Sequence, residues 1–306
     1  MNKHKIRYYI ASFRLRTLPL SLSGILLGSL LAKADGSFAL LPFVLAVTTT
    51  LCLQILSNLA NELGDLEKGT DNADRLGPIR SIQSGALSLQ EFKRTIVIFI
   101  IFSVISGTIL VYTAFDHLFC QDGMIMLLLG AAAIVAAIKY TVGKGAYGYH
   151  GLGDLFVFLF FGLLSVCGSY FVIAHQLRWE VFLPAASIGL LSTGVLNLNN
   201  MRDIENDRHS GKQTIPVKIG LQKAKYYQVG LITGAVFCMC LYTLTQFHTL
   251  KHFLFLLVLP LFILHLKKVA KNQGRELDSQ LKVLSLTTLL FALLSGLSQL
   301  LFTVPL

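Results

Sequence analysis

The chain has 306 residues, 54% of them hydrophobic and 14% charged, with a mean hydropathy of +0.66. Soluble domains carry about 25% charged residues, so the composition excludes an ordinary water-soluble protein and indicates a polytopic membrane protein. Lys and Arg exceed Asp and Glu by ten. In a membrane protein that excess gathers in cytoplasmic loops and sets orientation, so it gives no reason to expect nucleic acid as a partner.

Runs of about 17–25 apolar residues can cross the hydrocarbon core as helices. Nine are predicted, at about 17–34, 38–62, 95–115, 124–141, 152–174, 181–203, 226–246, 250–268 and 283–304. The expected fold is all-α, with residues 1–306 forming one transmembrane domain. With a cytoplasmic N-terminus, 23 of the 26 Lys and Arg fall inside, and only Lys33, Arg178 and Lys251 fall outside. The positive-inside rule therefore puts the C-terminus outside. The five cysteines show no metal-ligand spacing: Cys52, Cys167, Cys238 and Cys240 read as small hydrophobes in apolar runs, and Cys120 lies in a loop.

The second span ends in a polar stretch that begins Asn61-Glu62-Leu63-Gly64-Asp65. Asn61 and Asp65 are four apart and share a helix face. The arrangement returns 138 residues later at the end of the sixth span, where Asn199, Asp203 and Asp207 follow at steps of four. Of sixteen Asp and Glu, eight lie in these two windows: Glu62, Asp65, Glu67, Asp71, Asp74, Asp203, Glu205 and Asp207. Both windows fall on the cytoplasmic side. Two parallel four-helix units plus a ninth helix would explain the recurrence, with loops 2–3 and 6–7 as caps over one divided site. Ser88-x-x-Glu91 reads as a capping box opening the third span. Pro260 is expected to kink the eighth span.

Carboxylates in a membrane require compensation. Oxygen-only clusters without His or Cys suit Mg²⁺, which favours carboxylates together with substrate phosphates. Such a site would take a diphosphate, and cations for it stand at Arg14, Arg16, Arg75, Arg80, Lys139, Lys144, Arg202 and Lys212. No Walker-type glycine loop is present, so ATP-driven chemistry lacks support. A secondary transporter is a rival reading of membrane carboxylates, but it predicts acids in mid-span.

Asn61-x-x-x-Asp65, Tyr140-x-x-x-Lys144 and Asn199-x-x-x-Asp203-x-x-x-Asp207 resemble the UbiA-type intramembrane prenyltransferases. Further motifs are similar to the 1,4-dihydroxy-2-naphthoate polyprenyltransferase branch of that superfamily, which serves menaquinone synthesis. They are Arg16-Thr17-Leu18-Pro19, Asn58-Leu59-Ala60-Asn61, Gly69-Thr70-Asp71-x-x-Asp74-Arg75-x-Gly77-Pro78-x-Arg80, Gly148-Tyr149-x-Gly151-Leu152-Gly153-Asp154 and Asn199-Asn200-x-Arg202-Asp203-x-x-x-Asp207-x-x-x-Gly211-Lys212-x-Thr214. The first acidic motif covers 58–80 and the second 197–214. Two positions depart from the superfamily pattern: Glu62 stands where Asp is common, and Gly69 where a second Asp is usual.

The resemblance implies Mg²⁺-dependent transfer of a prenyl group from a polyprenyl diphosphate to 1,4-dihydroxy-2-naphthoate, with loss of CO₂. An alternative within the superfamily is another aromatic acceptor such as 4-hydroxybenzoate. The implied metal ligands are Asn61, Asp65, Asp71, Asp203 and Asp207, with Asp74 an alternative to Asp71. Lys144 is the implied leaving-group cation, and Arg75, Arg80 and Lys212 are further candidates. Arg16, Asn58, Tyr140, Tyr149, Asn199, Asn200 and Arg202 are implied substrate contacts. Asp154 either complements a helix dipole or orients the acceptor. The branch implies a bacterial cytoplasmic (inner) membrane.

Overall fold

The computed structural model describes residues 3–72, 76–77, 80–247 and 249–302. Among the described residues there is no strand, and nine helices are long and apolar enough to cross a membrane. They run Lys5–Ala34, Leu40–Glu67, Leu89–Phe115, Gln121–Lys139, Gly153–Ala174, Trp179–Arg202, Leu221–Thr245, Leu250–Lys271 and Gly274–Phe302. An all-α polytopic membrane protein is what the hydropathy implied.

The first of these is two helices. Lys3–Phe13 and Leu18–Ala34 meet at Arg14, whose φ of 49° breaks the run. Left-handed backbone is costly for a side chain as large as arginine, and Thr17 secures it by donating to the Arg14 carbonyl through both N and Oγ1. The second span reaches Glu67, five residues past its predicted end, because the polar motif itself continues the helix. The ninth span's helix starts at Asp278 rather than near 283. The fifth span contains a π-helical turn at Phe158–Leu164, a feature that concentrates at functional sites. Pro260 does not kink a continuous helix. A 3₁₀ segment, Leu250–Val258, gives way there to Leu259–Lys271, so the proline occupies a first turn, where its missing N–H has no cost.

Helix contacts inside lipid depend on close packing rather than hydrophobic contrast, so small residues mark them. A Cβ on Gly24 would lie 2.1 Å from Ser165 Oγ, and one on Gly28 2.2 Å from the Val166 carbonyl, so the first span lies directly against the fifth. Gly162 meets the Cα of Gly189 in the same way, joining the fifth span to the sixth. The sixth span is central, with 67% of its apolar window buried. Ile98, Ile101, Phe102 and Ile105 of the third span and Leu128 of the fourth are exposed. On a membrane-crossing helix these are lipid-facing surface.

Three loops interlock at one end of the bundle. Ser81 Oγ donates to the Tyr8 carbonyl and Ser12 Oγ donates to Ser81 Oγ, tying loop 2–3 to the N-terminal helix. Asn206 Nδ2 donates to the Thr70 carbonyl, and Gln213 N donates to the Tyr149 carbonyl, joining loop 6–7 to the other two. The capping box at Ser88 and Glu91 is formed in full.

Candidate active site

Both acidic windows end in the same backbone device. At the end of the second span, Thr70 N bonds to Asp65 O at 2.9 Å and Gly69 N to Leu66 O at 3.0 Å. After the sixth, Lys212 N bonds to Asp207 O at 2.8 Å and Gly211 N to Arg208 O at 3.2 Å. These are Schellman closures, which need a left-handed residue just past the helix. Gly69 and Gly211 supply it, with φ of 71° and 72°. The departure at Gly69 thus has a physical reason: an aspartate there would carry a backbone penalty. Each closure turns the next side chain, Thr70 or Lys212, back over the carboxylate it follows.

The helix bearing Asn199 ends at Arg202, and Asp203 has non-helical backbone before Ile204–His209 begins. Asp203 N still bonds to Asn199 O, and Asp207 N to Asp203 O, at 3.2 and 2.8 Å. The four-residue spacing therefore survives the break. Asn199, Asp203 and Asp207 line one cavity of about 150 Å³, and Asn61 and Asp65 line it too. Arg14, Arg16, Asn58, Arg80, Tyr140, Lys212 and Lys282 are among its other polar lining residues.

Lys212 lies at the centre of this charge. Its Nζ is 3.4 Å from Asp65 Oδ1 and 4.0 Å from Asp207 Oδ1, so one ammonium spans the two acidic faces. Burial works against that charge, but Asp65 and Asp207 outweigh it and hold Lys212 above the ordinary lysine value. Burial pushes the Asp207 carboxyl up, Lys212 draws it back and Asp203 and Asp65 raise it again, leaving it at about 7. Tyr149 donates its hydroxyl to Asp65 Oδ1 at 2.9 Å, which leaves the Thr70 hydroxyl to donate to Tyr149 at 2.6 Å. Lys68 Nζ lies 3.8 Å over the Tyr149 ring.

The remaining residues singled out from the sequence divide. Asn58 lines the cavity and donates to the Phe13 carbonyl and Thr17 Oγ1. Asp71 is buried and pairs with Arg80 at 3.2 Å, so it orients a cavity arginine and does not itself line the cavity. Arg202 is wholly buried behind Asp203 and donates to both its carboxylate oxygens. Asn200 is buried away from the cavity, with Oδ1 unbonded. Asp154 accepts from the Tyr227 hydroxyl at 3.1 Å and lines neither cavity. Lys144 is exposed in loop 4–5 and lines neither cavity. The helix stops at Lys139, so the spacing from Tyr140 no longer sets a shared face. Asp74 and Arg75 lie outside the described residues. Glu62 is buried and accepts from Ile82 N at 3.1 Å, its longer arm anchoring loop 2–3.

Sequence reasoning missed Lys68, Asn206 and Lys282, which carry no motif signal, and it quoted Thr70 within a motif without giving it a role. It also missed Asp278, which accepts from both Arg16 and Arg202.

Across Asn61 and Tyr140 the polar cavity adjoins an apolar one of about 420 Å³. Tyr140, Val157, Phe161 and Leu196 line both. Ala46 and Asn61 of the second span both line the apolar chamber, and fifteen residues of helix cover about 22 Å. Tyr147 and Phe156 stack at its polar end, with ring centroids 3.9 Å apart.

Among the described residues, no three His, Cys, Asp or Glu side chains are already arranged to hold a metal ion. The donor set nonetheless fits a hard cation. Three mutually repelling carboxylates and five side-chain amides line one cavity, and the Oδ1 of one of those amides, Asn206, is buried without a hydrogen-bond partner. Mg²⁺ is ordinarily held by one or two carboxylates plus phosphate oxygens.

A membrane bundle with an acid-lined, lysine-bearing head cavity beside a long apolar chamber has the form of an intramembrane enzyme for an amphiphile with an anionic head. The chain belongs to the UbiA prenyltransferase family, whose profile matches residues 21–292. It is 44% identical to the 1,4-dihydroxy-2-naphthoate octaprenyltransferase of Escherichia coli (strain K12), over 95% of this chain and 96% of that one. It is 40% identical to the enzyme of the same name from Haemophilus influenzae, over 97% of each. Among solved structures it shares the fold of an apo UbiA homolog from Aeropyrum pernix K1, with a TM-score of 0.68 and 18% identity over 92% of this chain and 96% of that one. A UbiA homolog from Archaeoglobus fulgidus bound to DMAPP and Mg²⁺ aligns with a TM-score of 0.62 and 15% identity, over 96% and 99%.

Proposed function

We propose that this chain transfers a polyprenyl group from a polyprenyl diphosphate to 1,4-dihydroxy-2-naphthoate, with decarboxylation, as a step of menaquinone synthesis. The observation that carries the reading is the shared wall of the two cavities. A charged head cavity bearing Asp65, Asp203, Asp207 and Lys212 adjoins an apolar chamber about 22 Å long across Asn61, Tyr140, Val157, Phe161 and Leu196. The near-full-length identity to enzymes named for this reaction supports the choice of acceptor.

Asn61, Asp65, Asp203 and Asp207 would hold Mg²⁺ against the diphosphate, where the ion supplies Lewis-acid stabilisation of the leaving oxygens. Asp71 contributes by fixing Arg80. Lys212 takes the part the sequence suggested for Lys144, meeting charge that develops on the diphosphate as the allylic C–O bond breaks. The electron pair of that bond leaves with the diphosphate. The naphthoate ring carbon that bears the carboxylate forms the new C–C bond, and its bond to the carboxyl carbon then breaks to release CO₂. Tyr140, Phe161 and Leu196 surround the reacting end and keep water from the cation.

Residues 1–306 act as one transmembrane domain in a bacterial cytoplasmic membrane, with the N-terminus and head cavity on the cytoplasmic side.

The test is turnover by purified protein supplied with a polyprenyl diphosphate, Mg²⁺ and either 1,4-dihydroxy-2-naphthoate or 4-hydroxybenzoate, with product mass measured. Prenylated, decarboxylated naphthoquinol that vanishes with EDTA is expected. Turnover of 4-hydroxybenzoate alone would move the chain to another acceptor.

A further inference from the structure

Asp278 opens the helix of the ninth span and lies outside both acidic motifs. Its carboxylate joins two arginines from distant parts of the chain. Arg202 Nη1 donates to Oδ1, and Arg16 Nη1 donates to Oδ2 at 3.1 Å. Arg202 is fully buried and directs its other donors at the second motif. Nε reaches Asp203 Oδ1 at 3.1 Å, while Nη2 reaches Asp203 Oδ2 at 2.6 Å and Asn199 Oδ1 at 2.9 Å. Arg16 itself lines the head cavity, as do Asn199 and Asp203.

A guanidinium is a rigid planar fork, so fixing one nitrogen fixes the direction of the others. Both oxygens of Asp203 lean on Arg202, and Arg202 leans on Asp278. We infer that Asp278 is a positioning residue: it locks Arg202 in the orientation that presents Asp203 and Asn199 to the cavity, and it holds Arg16 at the cavity wall. It thereby sets affinity for the metal–diphosphate head of the donor. The inference rests on the function proposed above. An acid in a first helical turn also complements the helix dipole. That role needs no arginine partners and would leave donor binding unchanged.

The experiment uses the full chain in detergent, comparing wild type with Asp278→Asn and Asp278→Glu. Donor KM, acceptor KM and the Mg²⁺ concentration for half-maximal rate are measured, with calorimetric binding of geranyl diphosphate plus Mg²⁺ and thermal unfolding alongside. Asp278→Asn keeps shape but loses charge. It is expected to raise donor KM and the Mg²⁺ requirement by about tenfold or more, with acceptor KM within about twofold of wild type. Asp278→Glu is expected to return both to within about threefold, since the arginines keep an anionic partner. Donor KM and Mg²⁺ requirement both unchanged in Asp278→Asn would overturn the inference. So would failure of that variant to fold, or equal losses in the Asn and Glu variants. If wild type turns over no acceptor, the functional reading fails instead and calorimetry decides. Binding weakened about tenfold by Asp278→Asn supports positioning, and unchanged binding overturns it.

Discussion

Lys212 bridges two buried carboxylates, and its consequences differ sharply from those of Lys144, which faces solvent. Preorganised charge aimed at a developing anion is worth roughly 10²–10³ in rate. Lys212→Met is expected to lower kcat by about that factor, and Lys144→Ala to stay within about twofold; steady-state kinetics on both variants would check the contrast. Tyr149→Phe removes one donor from Asp65 without opening a cavity. A hydrogen bond to a charged group is worth about 1.5–3 kcal/mol, so a drop in kcat/KM of at least about tenfold is expected, read in the same assay. The sequence made Asn61, Asp65, Asn199, Asp203 and Asp207 legible because their spacing is set locally, by helix periodicity. Lys144 misled because its spacing from Tyr140 assumes a helix that stops at Lys139. Asp278 was illegible because its partners are 76 and 262 residues away, a proximity that only the packed bundle creates.

Two elements carry much of the site's shape, and each can be perturbed separately. The closures at Gly69 and Gly211 turn Thr70 and Lys212 onto the carboxylates. A Cβ on Gly211 meets nothing within 4 Å, so only its positive φ resists substitution. Gly211→Ala should cost about 1–2 kcal/mol, seen as a lower thermal midpoint, and should reduce activity through the displaced Lys212. The apolar chamber offers the complementary experiment. Gly130 lines it, sits in a helix, and has open space where a Cβ would go. Gly130→Leu gains about 1 kcal/mol of helix propensity, so the protein should stay folded. Turnover of a long donor such as octaprenyl diphosphate should fall while a geranyl donor is spared, as competition between the two would show. Sequence hydropathy located all nine spans but set the polar ends of the first, second, third, seventh, eighth and ninth too short, because a helix that runs beyond the lipid no longer looks apolar. The π-turn in the fifth span left no such trace, since Phe158–Leu164 reads as any buried apolar run.

The whole molecule is a membrane bundle whose functional groups collect at one end. The cytoplasmic placement proposed for that end rests on the positive-inside rule, since the topology expected from the sequence gathers 23 of 26 Lys and Arg on one side. In intact cells, with the loop cysteine Cys120 replaced by Ser in both proteins, a membrane-impermeant maleimide should label Lys251→Cys but not Lys144→Cys; the reverse pattern would invert the topology. The all-α class and the meeting of the two windows at one cavity were readable because the lipid restricts a spanning chain to few options. The cap network of Tyr8, Thr70, Tyr149 and Asn206 was not, because single hydrogen bonds between loops leave no periodic signal.

The central claim is that the acidic faces of the second and sixth spans act together on one Mg²⁺-bound diphosphate head. The direct measurement is calorimetric titration of geranyl diphosphate into wild type, Asp65→Asn and Asp203→Asn, with Mg²⁺ and with EDTA. Mg²⁺-dependent binding in wild type, lost in each variant although each remains folded, is the predicted result. Mg²⁺-dependent binding that survives either substitution at wild-type strength would contradict the account.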